Sequence, residues 1–203
     1  MYRARMVMTD PRGYLTEKQI DDFFRACRNK RDTALFKLMY RCGRRVSEVL
    51  ALRREDILWK ENRIIFRILK KRKCYEEIKP VDKETMQSLR EYLDDVPESI
   101  RKKPKSLVFP VSRQYVFKLT RKIGKRAGIE YVGRKKLHPH HFRHSFAVHQ
   151  VRNNIRTIEQ LRMLQRYMGH TDIGMTAHYL QFSTDDMKEI TDLWDKGVKS
   201  SKK

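Results

Sequence analysis

A mainly α-helical domain with one small antiparallel β-sheet is the fold class this sequence predicts. Apolar residues recur at helical spacing in segment after segment, each bounded by a capping residue or a glycine. Only one stretch, 63–69 (R-I-I-F-R-I-L), is dense in β-branched and aromatic residues over a strand's length. The chain has 203 residues, 39% of them hydrophobic, enough for one sizeable core.

In chain order, Thr16 with Gln19 forms a capping box, and Ile20, Phe23, Phe24 and Cys27 share the face of the helix that follows. A second helix is expected from near Asp32, burying Leu35, Leu38, Met39 and Cys42, and Gly43 breaks it. A short helix then carries Val46, Val49 and Leu50. The strand at 63–69 should pair with Glu77–Val81 across a basic tip, K-K-R-K-C-Y-E, and Pro80 confines the second strand to a sheet edge. A helix from about Asp82 buries Met86, Leu89 and Leu93, and the charged segment 94–106 reads as a surface loop. Ser112 caps a helix with Val116, Leu119, Ile123 and Ala127 inside and Gly128 at its end. Pro139 suits the first turn of a helix running to about Val151. The next helix spans about Thr157–Met168, with Ile158, Leu161 and Leu164 inward and Gly169 as its stop. A last helix from near Thr184 shows the stripe Met187, Ile190, Leu193 and Trp194.

Charge narrows the function. Formal net charge is +22, from 47 Lys and Arg against 25 Asp and Glu, spread through the whole chain. Self-repulsion on that scale calls for a polyanionic partner, with nucleic acid favoured over an anionic membrane surface. A merely Lys/Arg-rich thermophilic or ribosomal-type protein is the duller explanation. No run approaches 18 apolar residues, so no membrane-spanning helix is expected, and Met1–Pro11 lacks the apolar run of a secretory signal. Three scattered cysteines (Cys27, Cys42, Cys74) suit a reducing cytoplasm.

All seven histidines fall between His138 and His178. Metal binding is disfavoured, because no cysteine accompanies them and Asp172 is the only carboxylate near His170. Instead, L-H-P-H-H-F-R-H-S-F-A places His140 and Arg143 one helical turn apart. G-H-T-D follows at Gly169–Asp172, then Tyr179 in T-A-H-Y-L. Far upstream stands C-G-R-R-V-S-E, Cys42–Glu48. Taken singly, each residue has a bland role: Arg45 and Arg143 as phosphate contacts or surface charges, Glu48 as a helix ion pair, Lys70 as a solvated charge. The remaining histidines default to packing or DNA contact. Order, spacing and type agreeing at separated positions make the bland account improbable.

With these boxes the sequence resembles the tyrosine recombinase (phage integrase) family, from about Leu15 to the C-terminus. The resemblance implies the DNA breaking-rejoining catalytic fold. By the G-x-R-x-S-E box it puts the first catalytic arginine at Arg45 and the supporting acid at Glu48. By H-x-x-R it puts the next pair at His140 and Arg143, and by the G-H box His170, with Tyr179 as nucleophile. The family's hairpin lysine falls on Lys70, with Lys71 and Lys73 open because the tip reads as long and lysine-rich. The interval from Arg143 to His170 also looks a few residues long, which should lengthen a loop around N-N-I-R-T-I.

What the resemblance implies is chemically coherent. Two guanidinium forks spread the charge growing on an attacked phosphodiester. Tyr179 would form a phosphotyrosyl bond to a 3′ phosphate and free a 5′ hydroxyl, storing the bond energy without ATP. The lysine protonates the leaving oxygen, the histidine of H-x-x-R moves the tyrosine's proton, and His170 donates to the phosphate. No metal or other cofactor is called for, and no nucleotide-binding G-x-x-x-x-G-K-[ST] occurs. The implied function is site-specific recombination of double-stranded DNA by a homotetramer on DNA, in the cytoplasm of the cell or host. The alternatives are type IB topoisomerase activity and a non-enzymatic DNA-binding descendant. Residues 1–14 are expected to be an N-terminal extension, 15–183 the catalytic domain, and 184–203 a C-terminal helix and tail docking on a neighbouring protomer. The N-terminal core-binding domain usual in the family is expected to be absent, which leaves an excised domain or a minimal enzyme and predicts salt-sensitive DNA binding.

Overall fold

The computed structural model describes residues 13–70, 73–101 and 103–169. His170, Tyr179 and the helix expected from Thr184 lie outside the described residues, as do residues 1–12. Two compact units make up the chain, one ending at Phe146 and the other beginning at Ala147.

Capping chemistry starts the first helices. Helix α1 (Glu17–Arg25) opens on the expected box: Thr16 Oγ1 accepts from the Gln19 amide at 3.2 Å, and Gln19 Oε1 accepts from the Thr16 amide at 2.9 Å. Helix α2 (Lys30–Arg41) begins earlier than Asp32, because Asn29 is the cap and its Oδ1 accepts from the Asp32 amide at 2.8 Å. Helix α3 is Val46–Leu50. The core of the first unit closes on an aromatic trio: the Phe23 ring lies 4.8 Å from Phe36 and 4.6 Å from Phe142, with Phe36 and Phe142 5.2 Å apart.

Strands β1 (Ile57–Leu58), β2 (Arg63–Lys70) and β3 (Lys73–Pro80) form one antiparallel sheet in that order, leaving β3 at an edge, as Pro80 requires. Alternation along β2 buries Ile64, Phe66 and Ile68. The hairpin tip is much shorter than the sequence suggested. Pairing continues until Lys70 faces Lys73, so positions 71 and 72 alone connect the strands. The extra pairs arise because Cys74 and Tyr75 sit opposite Leu69 and Ile68, extending the ladder through residues that read as loop.

Helix α4 (Lys83–Asp94) takes Asp82 as its cap. The segment expected as loop contains a one-turn helix, α5 (Glu98–Arg101). Helix α6 (Arg113–Arg126) is capped by Ser112, and a small hairpin follows, β4 (Tyr131–Val132) with β5 (Lys135–Lys136). Helix α7 (His140–Asn154) runs past Val151, and α8 (Ile158–Met168) starts at cap Thr157. Residues 155–157 therefore suffice to join them, and the expected long loop is absorbed into the helix ends. On α8 Leu161 and Leu164 are buried as expected, but Ile158 is 65% exposed and Met168 is buried in its stead. Gly169 ends α8 in the left-handed conformation, φ 66°.

Candidate active site

The site is built where the chain leaves α2. Gly43 has φ 58°, and a Cβ there would meet the Phe146 ring at 2.6 Å, so only glycine lets this turn lie against α7. The next residues, Arg44 and Arg45, lead straight into α3. Arg45 is half-buried, and buried Glu48 grips it twice. Glu48 Oε2 accepts from the Arg45 amide at 3.1 Å, and Oε1 accepts from Arg45 Nη1 at 2.8 Å. A charge-assisted pair of this kind fixes where the guanidinium points. Glu48 and Arg45 thus form an ion pair across one turn of α3.

Helix α7 supplies the second half. Pro139 immediately precedes its first residue, and the His138 amide donates to His141 Nδ1 at 3.1 Å, the backward reach of a capping box made by an imidazole. Accepting that bond requires a neutral ring. Burial first, then the charges of His138, His144, Lys135 and His140, push the His141 imidazole down to about 3. His141 is thus a structural residue, 5% exposed. One residue earlier, His140 is exposed, yet neighbouring groups partly desolvate it. That desolvation, with the charges of Arg143, Arg45 and Arg113, holds its imidazole below the usual histidine range, against a weaker pull from Glu48.

Buried Arg143 joins the halves: its Nη1 donates to the Gly43 carbonyl at 2.6 Å, across 100 residues of sequence. Arg45, Glu48, His140 and Arg143 are thereby assembled around one turn of backbone. Lys70 ends β2, opposite Lys73. His170 and Tyr179 lie outside the described residues.

Three participants carry no mark in the sequence motifs. Arg44, beside Arg45, is fully buried, its Nε donating to the Cys42 carbonyl at 3.0 Å. Arg113, in the first turn of α6, adds positive charge at His140 while its guanidinium lies 5.5 Å from the centre of the Phe117 ring. Ser145 Oγ accepts from the Leu15 amide at 2.8 Å and donates to the His141 carbonyl, tying the start of the domain to α7. A helix cap at Ser112 is the one available signal for Arg113; the other two have none. Away from the site, a basic cleft between the end of α6 and the β4–β5 hairpin is lined by Arg121, Lys122, Lys125 and Lys136, with Tyr131 exposed.

This helical scaffold around a small sheet is a tyrosine recombinase catalytic-domain fold. It superposes on a crystal structure of XerA recombinase with a TM-score of 0.68 at 25% identity, covering 89% of this chain and 64% of that one. A XerH site-specific recombinase bound to palindromic difH substrate, a post-cleavage complex, superposes with a TM-score of 0.71 at 20% identity, covering 92% and 54%. The phage integrase family model matches residues 13–185, and the chain belongs to that family. Among relatives, tyrosine recombinase XerA of Pyrococcus horikoshii is 28% identical over 179 residues, covering 86% of this chain and 59% of the relative. Tyrosine recombinase XerD of Proteus mirabilis is 29% identical over 214 residues, covering 94% and 66%. XerD of Staphylococcus aureus is 31% identical over 169 residues, covering 79% and 53%. This chain spans between half and two thirds of the length of these relatives. Among the described residues, no helix is long and apolar enough to cross a membrane.

Proposed function

We propose that this chain performs site-specific recombination of double-stranded DNA, cleaving and rejoining strands through a covalent 3′-phosphotyrosyl bond to Tyr179. The observation that carries the reading is the Arg143 bond to the Gly43 carbonyl, which brings the H-x-x-R turn against the box holding Arg45 and Glu48. Two guanidiniums held by rigid partners are suited to a phosphate's non-bridging oxygens, where negative charge grows during attack. Glu48 aims Arg45. His140, whose imidazole is held below the usual histidine range by partial desolvation and by the surrounding arginines, can take the phenol proton as the Tyr179 oxygen bonds to phosphorus. The bond from phosphorus to the 5′ oxygen breaks, and Lys70 supplies the proton that oxygen needs. His170 donates to the phosphate. Attack by a 5′ hydroxyl of another strand reverses the step and releases the tyrosine. Net charge of +22 supports the polyanionic partner. On this reading the domain is residues 15–183 with an N-terminal extension at 1–14, and 184–203 docks on a neighbouring protomer of a DNA-bound tetramer in the cytoplasm.

A nicked suicide substrate tests it. Cleavage beside the nick loses the short fragment and traps the protein on DNA as a covalent adduct. The adduct is expected with the wild-type chain and absent in Tyr179→Phe. No adduct in the wild type would sink the enzymatic reading. A two-site recombination assay run beside plasmid relaxation separates strand exchange from topoisomerase activity.

A further inference from the structure

The arginine preceding Arg45 has no place in that mechanism, yet it is the most deeply buried charge beside the site. The Arg44 side chain is 0% exposed. Its Nη1 lies 3.9 Å from Glu48 Oε2 and 3.6 Å from Glu77 Oε2, and its guanidinium carbon lies 5.3 Å from the centre of the Phe66 ring. Phe66 and Glu77 are directly paired across β2 and β3. Arg44 therefore lies against both strands of the hairpin at one rung, through a charge contact to Glu77 and a cation–ring contact to Phe66. Glu77 is also paired with Lys79 at 3.1 Å, and Glu48 holds Arg45 at 2.8 Å. The result is an unbroken chain of alternating charge, Lys79–Glu77–Arg44–Glu48–Arg45, running from the edge strand to the first arginine of the site.

Burying an ion cluster is seldom the route to stability, since an apolar side chain of similar volume does as well or better. What such a cluster supplies is fixed geometry. Lys70 lies four residues along β2 from Phe66, the rung Arg44 holds.

We propose that Arg44 is a positioning residue that locks the β2–β3 hairpin to the Arg45–Glu48 pair, setting the distance between the lysine at position 70 and the arginine-bound phosphate. This rests on the recombinase reading above, in which that lysine protonates the leaving 5′ oxygen.

The test compares two nicked substrates, one with an ordinary 5′ bridging oxygen and one with sulfur in that position. A thiolate leaves without needing a proton, so the sulfur substrate does not depend on the lysine. Arg44→Met is expected to slow adduct formation by about a hundredfold on the oxygen substrate. On the sulfur substrate its rate should stay within about threefold of wild type, because the donor no longer matters there. Glu77→Gln, at the other end of the link, should give the same selective loss in milder form, and it carries the test by itself if Arg44→Met does not fold. Equal losses on both substrates, or no loss on either, overturn the proposal. A wild-type chain that forms no adduct with either substrate overturns the recombinase reading and this proposal with it. Wild-type adducts with both substrates and no selectivity in the variants leave the recombinase reading standing and overturn only this one.

Discussion

The box at Cys42–Glu48 and the turn at His138–Arg143 meet at one carbonyl, yet they are built from different forces. In the first, charges do the holding: Glu48 on Arg45, and Arg44 between Glu48 and Glu77. In the second, backbone bonds and packing do it: His141 caps the helix start, Phe142 fills the aromatic core, and Arg143 is tied to a main-chain oxygen. Each arginine is suited to a phosphate, but only Arg143 also completes the fold. Arg45 can be lost while Glu48 keeps a counter-ion in Arg44. The lesson is that the two halves of one site should fail differently.

The largest test of that contrast is Arg143→Ala beside Arg45→Ala. Both should lower the rate of adduct formation by about 10²–10³-fold. Only Arg143→Ala should also lower unfolding free energy substantially, by about 1–3 kcal/mol, because the buried Gly43 carbonyl loses its donor. For Arg45→Ala, whose side chain is 34% exposed, the loss should stay below about 1 kcal/mol. Equal stability losses in urea melts would erase the distinction.

Next in size is the junction itself. Gly43→Ala forces a left-handed backbone on a side-chain-bearing residue and drives its Cβ into Phe146. Together these should cost about 2–4 kcal/mol, read as a lowered denaturant midpoint. An unchanged midpoint would mean that α7 does not need this close approach.

The last effect, modest across the narrow range from pH 7 to pH 5, sharpens the packed half alone. In the folded chain His141 titrates at about 3, while unfolded it recovers a value near 6.5. The unfolded state therefore takes up the proton first as the solution is acidified. The stabilisation is complete above about pH 6.5 and is lost as pH falls toward 3, by about 1.4 kcal/mol per pH unit. Half-buried His138, lowered first by burial and then by His140, Lys135 and Arg121, adds a loss of the same sign. Unfolding free energies measured at pH 7 and pH 5 should differ more for wild type than for His141→Asn. A wild-type chain more stable at pH 5 than at pH 7 would contradict the assignment.

Much of the fold is legible in the sequence, for reasons that differ by element. Capping residues announce themselves locally, so Thr16, Asp82 and Ser112 mark their helices. Strands of two residues, β1, β4 and β5, are too short to show alternation. Helix α7 is buried nearly all round, with His141, Phe142, Arg143, Ser145, Phe146, Ala147, Val148 and His149 all shielded. Its sequence carries no clean stripe, and the motif locates it better than periodicity can. Ile158 looks like a core residue because it falls in phase with Leu161, but at the first position of α8 it is exposed. In the candidate site, residue types and order are visible in the sequence, whereas the burial of Arg44 is not. Arginine sits at surfaces by default, and the interior partners of this one, the Cys42 carbonyl, Glu48 and Glu77, come together only in the fold.

The bond from the Leu15 amide to Ser145 Oγ spans 130 residues and sets a schedule for biosynthesis. At ribosomal speeds of roughly 5–20 residues per second, the segment bearing Leu15 emerges on the order of ten seconds before its partner exists. The same wait applies to Gly43 and Arg143, 100 residues apart. A nascent chain that has not yet reached Arg143 can present one arginine of the pair but not both, so the site assembles late in translation.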